Sequence, residues 1–215
     1  MVSTGRSPQR ICLRLIWRSS SAIAYRSCST TALRKGGTVP SVFCDSIGGE
    51  RLLIDRLVEA GHRRFVIIGG PPDSYVGNQR VEGAVTRLAH HGLEPLILQG
   101  NFDHESGAAG LRQALKAPGR PDAIVCANDL MAIGAMDAAR DEFGLRVPED
   151  ISIVGFDGVG PADWPSYRLT TIRQPVRRMT EAAVTMLLER VENPELPPEI
   201  RSFTGTLIEG RSARV

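Results

Sequence analysis

Beyond residue 41, short apolar runs alternate with longer stretches in which apolar residues recur every three or four positions. The apolar runs at 65–68, 96–98, 123–126 and 151–156 predict strands buried on both faces, as in a parallel sheet. The stretches at 48–60, 78–91, 105–115 and 130–143 predict helices. Parallel strands need crossover connections, so this order predicts an α/β fold in which helices cover both faces of a parallel sheet.

The residues that follow the predicted strands are rich in glycine, polar and aromatic side chains. They occupy positions 69–80, 100–102, 128–129 and 157–164. In open α/β sheets, ligands bind outside the carboxyl ends of the strands. The sequence therefore predicts a binding crevice built from these four segments.

Charge divides the chain near Pro40. Seven of the 26 basic residues and none of the 24 acidic residues fall within 1–40, so the remainder carries a net charge of −5. An Arg- and Ser-rich segment without acids is typical of an organellar transit peptide, whereas a secretory signal fits less well because Arg14 and Arg18 interrupt its apolar stretch. A basic arm for nucleic acid, a disordered segment, or a leader foreign to the protein are the other interpretations.

The usual motifs of catalysis and metal binding are missing from the sequence. It has no GxGxxG, Walker A, GxSxG or HExxH pattern, and its four cysteines form no CxxC pair. No apolar run reaches the ~20 residues of a membrane helix. We therefore expect a binding protein, not an enzyme, with no cofactor, no metal site and no membrane span.

Six segments, taken in order over about 170 residues, resemble one family. They are EAGHRR at 59–64, RVEG at 80–83, GNF at 100–102, CANDLMAIGA at 126–135, GLRVPEDISIVGFD at 144–157 and LTTIRQP at 169–175. This set resembles the ligand-sensing core of LacI/GalR-type transcriptional regulators, whose fold is shared with periplasmic sugar-binding proteins.

The resemblance implies a type I periplasmic-binding-protein-like core over 41–215, with two lobes and the ligand between them. Residues 65–173 and 200–215, including a final strand at 203–208, would form the C-terminal lobe. Residues 41–64 and 174–199, including a helix at 176–191, would form a partial N-terminal lobe. The family's helix-turn-helix headpiece is not recognisable in residues 1–40.

Five ligand-binding residues are carried over by position. The fork of donors on Arg80 suits hydroxyls or a carboxylate, and Asp157 could accept hydrogen bonds from two hydroxyls. Phe102 would stack on the ligand ring, Asn128 would donate and accept, and Trp164 would flank the pocket or a dimer contact. The alternatives are a surface charge for Arg80, core packing for Phe102, a helix cap for Asn128, an Asx turn for Asp157 and loop packing for Trp164.

By resemblance, the chain is the sensor domain of a cytoplasmic transcriptional regulator. A small effector, a sugar or sugar derivative, would bind it and control DNA binding through a headpiece that this chain lacks. The regulator would act as a homodimer. The alternative interpretations are a periplasmic sugar-binding protein of a transport system, an α/β enzyme with an acid-rich crevice, and a non-functional fragment from a misplaced start.

Three residues depart from the family's usual pattern. Ser46 follows Asp45 where Asn is common, Asn101 replaces the frequent Asp of Gly-Asp-Phe, and Gly158 replaces the second Asp that often follows Phe-Asp. These departures bear on which ligand is bound more than on family membership.

Overall fold

The computed structural model describes residues 39–215, so the predictions for the basic leader lie almost wholly outside the described residues. The described chain falls into two compact units. One contains residues 39–43 and Arg177–Arg201, and the other contains Cys44–Val176 and Ser202–Val215. Each unit is described by itself.

The elements follow one another in the predicted alternation. In chain order they are β1 (Ser41–Cys44), α1 (Ser46–Glu59), β2 (Phe65–Gly69), α2 (Tyr75–His90), β3 (Leu96–Gln99), α3 (His104–Ala114), β4 (Ala123–Cys126), α4 (Asp129–Asp137), β5 (Ser152–Asp157), β6 (Thr170–Arg173), α5 (Val176–Glu192), β7 (Ile200–Phe203) and β8 (Thr206–Ile208).

The larger unit is built on a six-stranded sheet with the order β3-β2-β4-β5-β6-β8. The strands from β2 to β6 pair in parallel, and β8 joins the edge antiparallel to β6. Every residue of β2 and β4 is buried, which agrees with their continuous apolar sequence. This arrangement confirms the predicted α/β fold. Because β2, β4 and β5 are parallel neighbours, their carboxyl ends lie side by side at the same end of the sheet.

Side-chain caps begin the helices that surround the site. Asp45, Ser74, Asp103 and Asn128 each accept a hydrogen bond from the backbone N–H three residues later. These bonds satisfy amide groups that have no partner within the helix. Asp45 is thus the cap of α1.

Helices α3 and α4 cross at very short range. A Cβ added to Gly107 would lie 2.0 Å from the Met131 carbonyl oxygen, and one added to Gly134 would lie 1.9 Å from the His104 carbonyl oxygen. Glycine at both positions therefore lets the two backbones touch. Around this crossing lies the aliphatic core, which includes Ile68, Leu111, Ile124, Met136 and Ile151.

Two predicted elements differ in the structure. The helix expected over 130–143 ends as α4 at Asp137 and continues as one π-helical turn, Ala138–Glu142. The final strand expected over 203–208 is two strands, β7 and β8, which belong to different sheets. Gly205 lies between them, where an added Cβ would come within 2.4 Å of the Ile172 side chain.

Helix α1 also differs from its expected assignment, because it belongs to the unit with the six-stranded sheet. The resemblance had placed it in the partial N-terminal lobe. Its side chains Leu53, Ile54 and Leu57 are completely buried, and it packs against α2, β6 and β8. In this chain the division therefore falls at Phe43, at Val176 and at Arg201.

The smaller unit pairs β1 with β7 and contains α5. One face of α5 exposes Val184, Leu188 and Val191, which recur at helical spacing. Within residues 39–215, no helix is long and apolar enough to cross a membrane.

Candidate ligand-binding site

An ion pair between Arg80 and Asp157 lies at the centre of the candidate site. Arg80 points from α2 to the strand ends, where its Nη2 donates to Asp157 Oδ1 at 2.8 Å and its Nη1 donates to the Ala127 carbonyl at 2.5 Å. The guanidinium also covers the Phe156 ring, 4.0 Å from its centroid. Arg80 is only 4% exposed, so the alternative interpretation as a surface helix charge is wrong.

Asp157 occupies the last position of β5 and has an unusual backbone. Its φ of 131° lies where residues other than glycine are strained, at a cost of roughly 1–3 kcal/mol. Its Oδ1 accepts from Gln174 Nε2 at 2.6 Å as well as from Arg80. These two donors hold the carboxylate at the strand end through its Oδ1.

The departure from the family at Gly158 has a structural cause. Gly158 has a φ of 70°, and a Cβ there would lie 2.7 Å from Arg173 Cα. An aspartate at this position would require the backbone to shift. Gly158 therefore lets β6 approach the end of β5 closely, beside Asp157.

Asn128 and Phe102 are linked to each other. Asn128 Oδ1 caps α4 by accepting from Met131 N at 3.0 Å, and its Nδ2 donates to the Phe102 carbonyl at 2.9 Å. The capping role that the sequence offered as an alternative is thus present. Asn128 thereby fixes the Phe102 loop to α4, and its contact with a ligand stays a prediction.

The ring of Phe102 lies against Gly70 at the end of β2. A Cβ on Gly70 would come within 2.2–2.8 Å of three ring atoms, so the ring rests directly on the backbone. Phe102 has a φ of 62°, a left-handed conformation that turns the loop after β3 back toward α2. The ring is partly buried and packs at the border of the core.

Trp164 is separate from these four residues. It follows a short 3₁₀ turn, Gly160–Asp163, and the residue is 57% exposed. Its ring has Tyr167 as neighbour, with 6.5 Å between the ring centroids. The structure bonds Arg80 to Asp157 and Asn128 to Phe102, and the two pairs meet where Arg80 bonds to Ala127, the neighbour of Asn128. Within the described part of the chain, Trp164 is bonded to none of these residues. A role for Trp164 in ligand binding stays a prediction.

Asp129, which made the crevice look acid-rich, is a structural residue. It is completely buried, where Oδ1 accepts from the Thr171 hydroxyl at 2.6 Å and Oδ2 accepts from Val159 N at 2.9 Å. Burial raises the pKa of Asp129 to about 6, although both hydrogen bonds oppose the shift. Its carboxylate fastens the loop after β5 to the sheet and has no free oxygen for chemistry.

Two residues of the site were missed at the sequence level. Gln174 lies one residue beyond the end of β6, so the strand-end rule could have found it. Glu50 lies on the apolar face of α1, in helical register with Leu53, Ile54 and Leu57. An ionisable residue on the apolar face of a helix is unusual and could have marked it as a candidate.

Glu50 is 1% exposed, and within residues 39–215 neither of its carboxyl oxygens has a hydrogen-bond partner. Burial raises the pKa of Glu50 to about 8; the positive charge of Arg80 opposes this rise and the negative charge of Asp157 adds to it. A carboxyl group with this pKa is mostly protonated at pH 7.

The described residues contain no cluster of His, Cys, Asp and Glu suited to a metal ion. Cys44 and Cys126 are buried free thiols, and burial raises the pKa of Cys44 to about 11. A thiol with this pKa is protonated at neutral pH and is a poor nucleophile.

The sequence and the fold match known proteins. Residues 54–213 match the model of the periplasmic binding protein-like domain. The HTH-type transcriptional repressor PurR of Escherichia coli O139:H28 (strain E24377A / ETEC) is 41% identical over 159 residues, which is 73% of this chain and 46% of the repressor. This chain belongs to the LacI/GalR-type, periplasmic binding protein-like family.

Solved structures of LacI-type regulators share the fold. The CelR–cellobiose complex superposes with a TM-score of 0.77 at 33% identity, covering 82% of this chain and 54% of that one. The lac repressor dimer bound to operator and the anti-inducer ONPF superposes with a TM-score of 0.76 at 29% identity, covering 83% and 62%.

The LacI/GalR-type relatives support a binding protein over an enzyme, since they are named as transcriptional repressors and regulators. The chain spans about half the length of the curated relatives that it matches. The matched residues, 54–213, include both Arg80 and Asp157.

Proposed function

We propose that the chain is the effector-sensing core of a LacI-type transcriptional regulator and binds a small carbohydrate at the Arg80–Asp157 group. The observation that carries this proposal is the buried arginine held against a carboxylate at the carboxyl end of β5, with Gln174 bonded to the same oxygen. Such an array offers fixed donors and acceptors to neighbouring hydroxyls. Phe102 adds an aromatic face against which a sugar ring can pack.

The charge of the site favours a neutral polyol over an ion. Arg80 and Asp157 neutralise each other, and the buried Glu50 is mostly protonated at pH 7. A charged effector would have to disrupt this balance in a nearly dry environment. The structure of a family member with cellobiose is consistent with a carbohydrate ligand.

The regulator would act in the cytoplasm as a homodimer, and it would contact DNA only through a headpiece outside the recognised core. Helix α4 and the 157–164 loop are the proposed dimer contacts. The effector would change operator binding by stabilising one arrangement of the core more than another, because a ligand that binds two states equally shifts nothing.

Calorimetry against cellobiose, D-glucose, D-galactose and D-ribose tests the proposal. Asp157→Asn removes the acceptor charge, and we expect it to weaken the binding of a sugar by at least about tenfold, the value of one charged hydrogen bond. Asp163→Asn is the matched control, since Asp163 lies in the same region, is exposed and pairs with Arg173. A folded chain that binds none of the sugars, or one whose Asp157→Asn variant binds equally well, would contradict the proposal.

A further inference from the structure

Two buried polar groups without hydrogen-bond partners lie on the adjoining helices α1 and α2, next to the proposed site. Within the described residues, both carboxyl oxygens of Glu50 and the Nε of Arg80 are buried without hydrogen-bond partners. Burying such groups unpaired is costly, and most buried polar groups in proteins are paired. The coincidence of an unused acceptor and an unused donor on neighbouring residues requires an explanation.

The packing of α1 on α2 places these groups together. A Cβ added to Gly83, one turn beyond Arg80 on α2, would lie 3.1 Å from Glu50 Cβ, so the two helices touch at this point. Arg80 is the charged group that acts most strongly on Glu50, and Asp157 at the end of β5 is the next. The guanidinium is thus bonded to the carboxylate of Asp157 and interacts electrostatically with the carboxyl group of Glu50, to which it is not bonded.

Few other ionisable groups surround Glu50. The negative charge of Glu50 contributes to the raised pKa of the Cys126 thiol on β4, and the charge of Asp129 on α4 contributes to it as well. Strands β6 and β8 also pack against α1 and contribute one titratable side chain, Arg173, which pairs with Asp163 at the surface. Arg80 and Asp157 are therefore the charged groups that act on the ionisation of Glu50, and burial is the largest influence on its pKa.

The hydrogen-bond donors of Arg80 show how it can change its carboxylate partner. Nη1 is bound to the Ala127 carbonyl and Nη2 to Asp157, whereas Nε is unused. If ligand hydroxyls engage Asp157, its hold on Nη2 weakens and Arg80 gains from a second anion. Ionised Glu50 is the buried group able to provide one, by accepting from Nε.

We propose that Glu50 is a proton-linked positioning residue for Arg80, which loses its proton and pairs with the guanidinium when a polyol effector engages Asp157. This inference rests on the proposed function, since it concerns the same site and the same class of ligand. The proton passes to solvent, so binding at neutral pH releases up to one proton. Arg80 in turn stays anchored while Asp157 holds the effector.

The expected pH dependence follows from this exchange. In the free protein burial raises the pKa of Glu50 to about 8, so below this pH binding must remove a proton. The affinity should then rise by up to about tenfold per pH unit between pH 6 and 8 and level off above it. A residue that only fills space would give no such slope.

A titration without ligand tests the coupling directly. The Glu50 carboxyl signal is followed by ¹³C NMR against pH in the parent chain, in Asp157→Asn, which relieves Arg80 of its present partner, and in the control Asp163→Asn. We expect a high midpoint in the parent and the control and a midpoint at least one pH unit lower in Asp157→Asn. An ordinary midpoint in the parent overturns the proposal, as does an equal midpoint in a folded Asp157→Asn variant.

A binding experiment tests the consequence for the effector. Cellobiose is titrated at pH 7 in phosphate and in Tris, whose different ionisation heats report the number of protons released. We expect release by the parent and by Glu82→Gln, an exposed control on α2, and none by Glu50→Gln. Binding without proton release in the parent overturns this inference but not the proposed function. If cellobiose and the other sugars do not bind, the proposed function fails, and the NMR titration still decides the role of Glu50.

Discussion

The side-chain amide of Asn128 forms two hydrogen bonds that join separate parts of the site. Its oxygen caps α4, and its nitrogen holds the Phe102 carbonyl. Asn128 is buried, so each lost bond would leave a backbone group in a nearly dry environment. The two contributions can be separated by substitution.

We predict that Asn128→Ala lowers the free energy of unfolding by about 2–4 kcal/mol, because it removes both the cap and the link to Phe102. Asn128→Ser keeps a capping hydroxyl but cannot reach Phe102, so it should recover about 1 kcal/mol of that loss. Urea denaturation of the three proteins measures both steps. Equal stability of the Ser and Ala variants would show that the cap contributes nothing.

Glu50 should make stability depend on pH. Its pKa is raised to about 8 in the folded chain from an ordinary value near 4.5, so the folded state holds a proton that the unfolded state has lost in this range. The stabilising proton is fully present below about pH 4.5 and is lost as the pH rises through 8. Stability attributable to Glu50 must therefore fall with rising pH.

We predict that Glu50→Gln, which imitates the protonated acid, gains stability relative to the parent by roughly 1 kcal/mol per pH unit between pH 5 and 8. Urea denaturation at several pH values measures the difference. Glu82→Gln, on the exposed surface of α2, should show no such trend. A constant difference between Glu50→Gln and the parent across this range would contradict the raised pKa.

Single residues of the site were predictable where the rule that ligands bind at the carboxyl ends of parallel strands applied to them. Arg80 and Asp157 follow from strand ends combined with the family resemblance, and the structure places them 2.8 Å apart. The bond from Gln174 to Asp157 was not predictable, because it depends on the register of β5 against β6. The unpartnered state of Glu50 likewise depends on how closely α1 packs on α2.

At the scale of elements, the core depends on the close packing of α3 against α4. Gly134 faces the His104 carbonyl, and Gly107 faces the Met131 carbonyl, so the helices meet through backbone atoms. Met131 also receives the capping bond from Asn128. The position of the site thus depends on this contact.

We predict that Gly134→Ala destabilises the chain by about 3 kcal/mol or more, because the new Cβ would lie 1.9 Å from the His104 oxygen. Helix propensity alone would give the opposite sign, a gain of about 1 kcal/mol. Gly160→Ala is the control, as nothing lies within 4 Å of that Cβ position. Thermal unfolding of both variants checks the prediction, and a Gly134→Ala protein as stable as the control would refute the close contact.

The kinds of elements were predictable, and several of their ends were not. Apolar runs and terminal glycines such as Gly61 and Gly92 located the strands and helix ends, and both glycines have positive φ. The end of α4 was missed because the apolar pattern continues through the π-helical turn, Ala138–Glu142. The split between β7 and β8 was missed because pairing with two different sheets leaves no trace in the hydrophobic pattern.

At the scale of the whole chain, the last residues close the larger unit. Ser212 Oγ donates to the Ile153 carbonyl at 2.6 Å and accepts from Thr170 N at 2.9 Å, so it bridges β5 and β6. The Ser212 carbonyl accepts from Ile153 N at 2.8 Å. Residues near the C-terminus therefore hold the strands that carry Asp157.

Arg214, two residues beyond Ser212, contacts His62, which precedes β2, and Ser152, the first residue of β5. The Arg214 carbonyl lies 3.2 Å from Nε2 of the buried His62, and Arg214 N donates to Ser152 Oγ at 3.0 Å. Burial lowers the pKa of His62, so its ring is neutral at pH 7 and can donate through one nitrogen. His62 therefore has a structural role, joining the residues before β2 to Arg214.

Removal of residues 212–215 should consequently destabilise the larger unit even though it deletes little apolar surface. Five hydrogen bonds to Ser212 and Arg214 would be lost, each contributing about 1 kcal/mol net. For a chain of this size we expect the melting temperature to fall by roughly 10 °C. Deletion of Val215 alone is the control and should change the melting temperature by less than about 2 °C. If both truncated chains have the same melting temperature as the parent, residues 212–215 do not stabilise the pairing of β5 with β6. Asp157 would then be held only by its strand and its own hydrogen bonds.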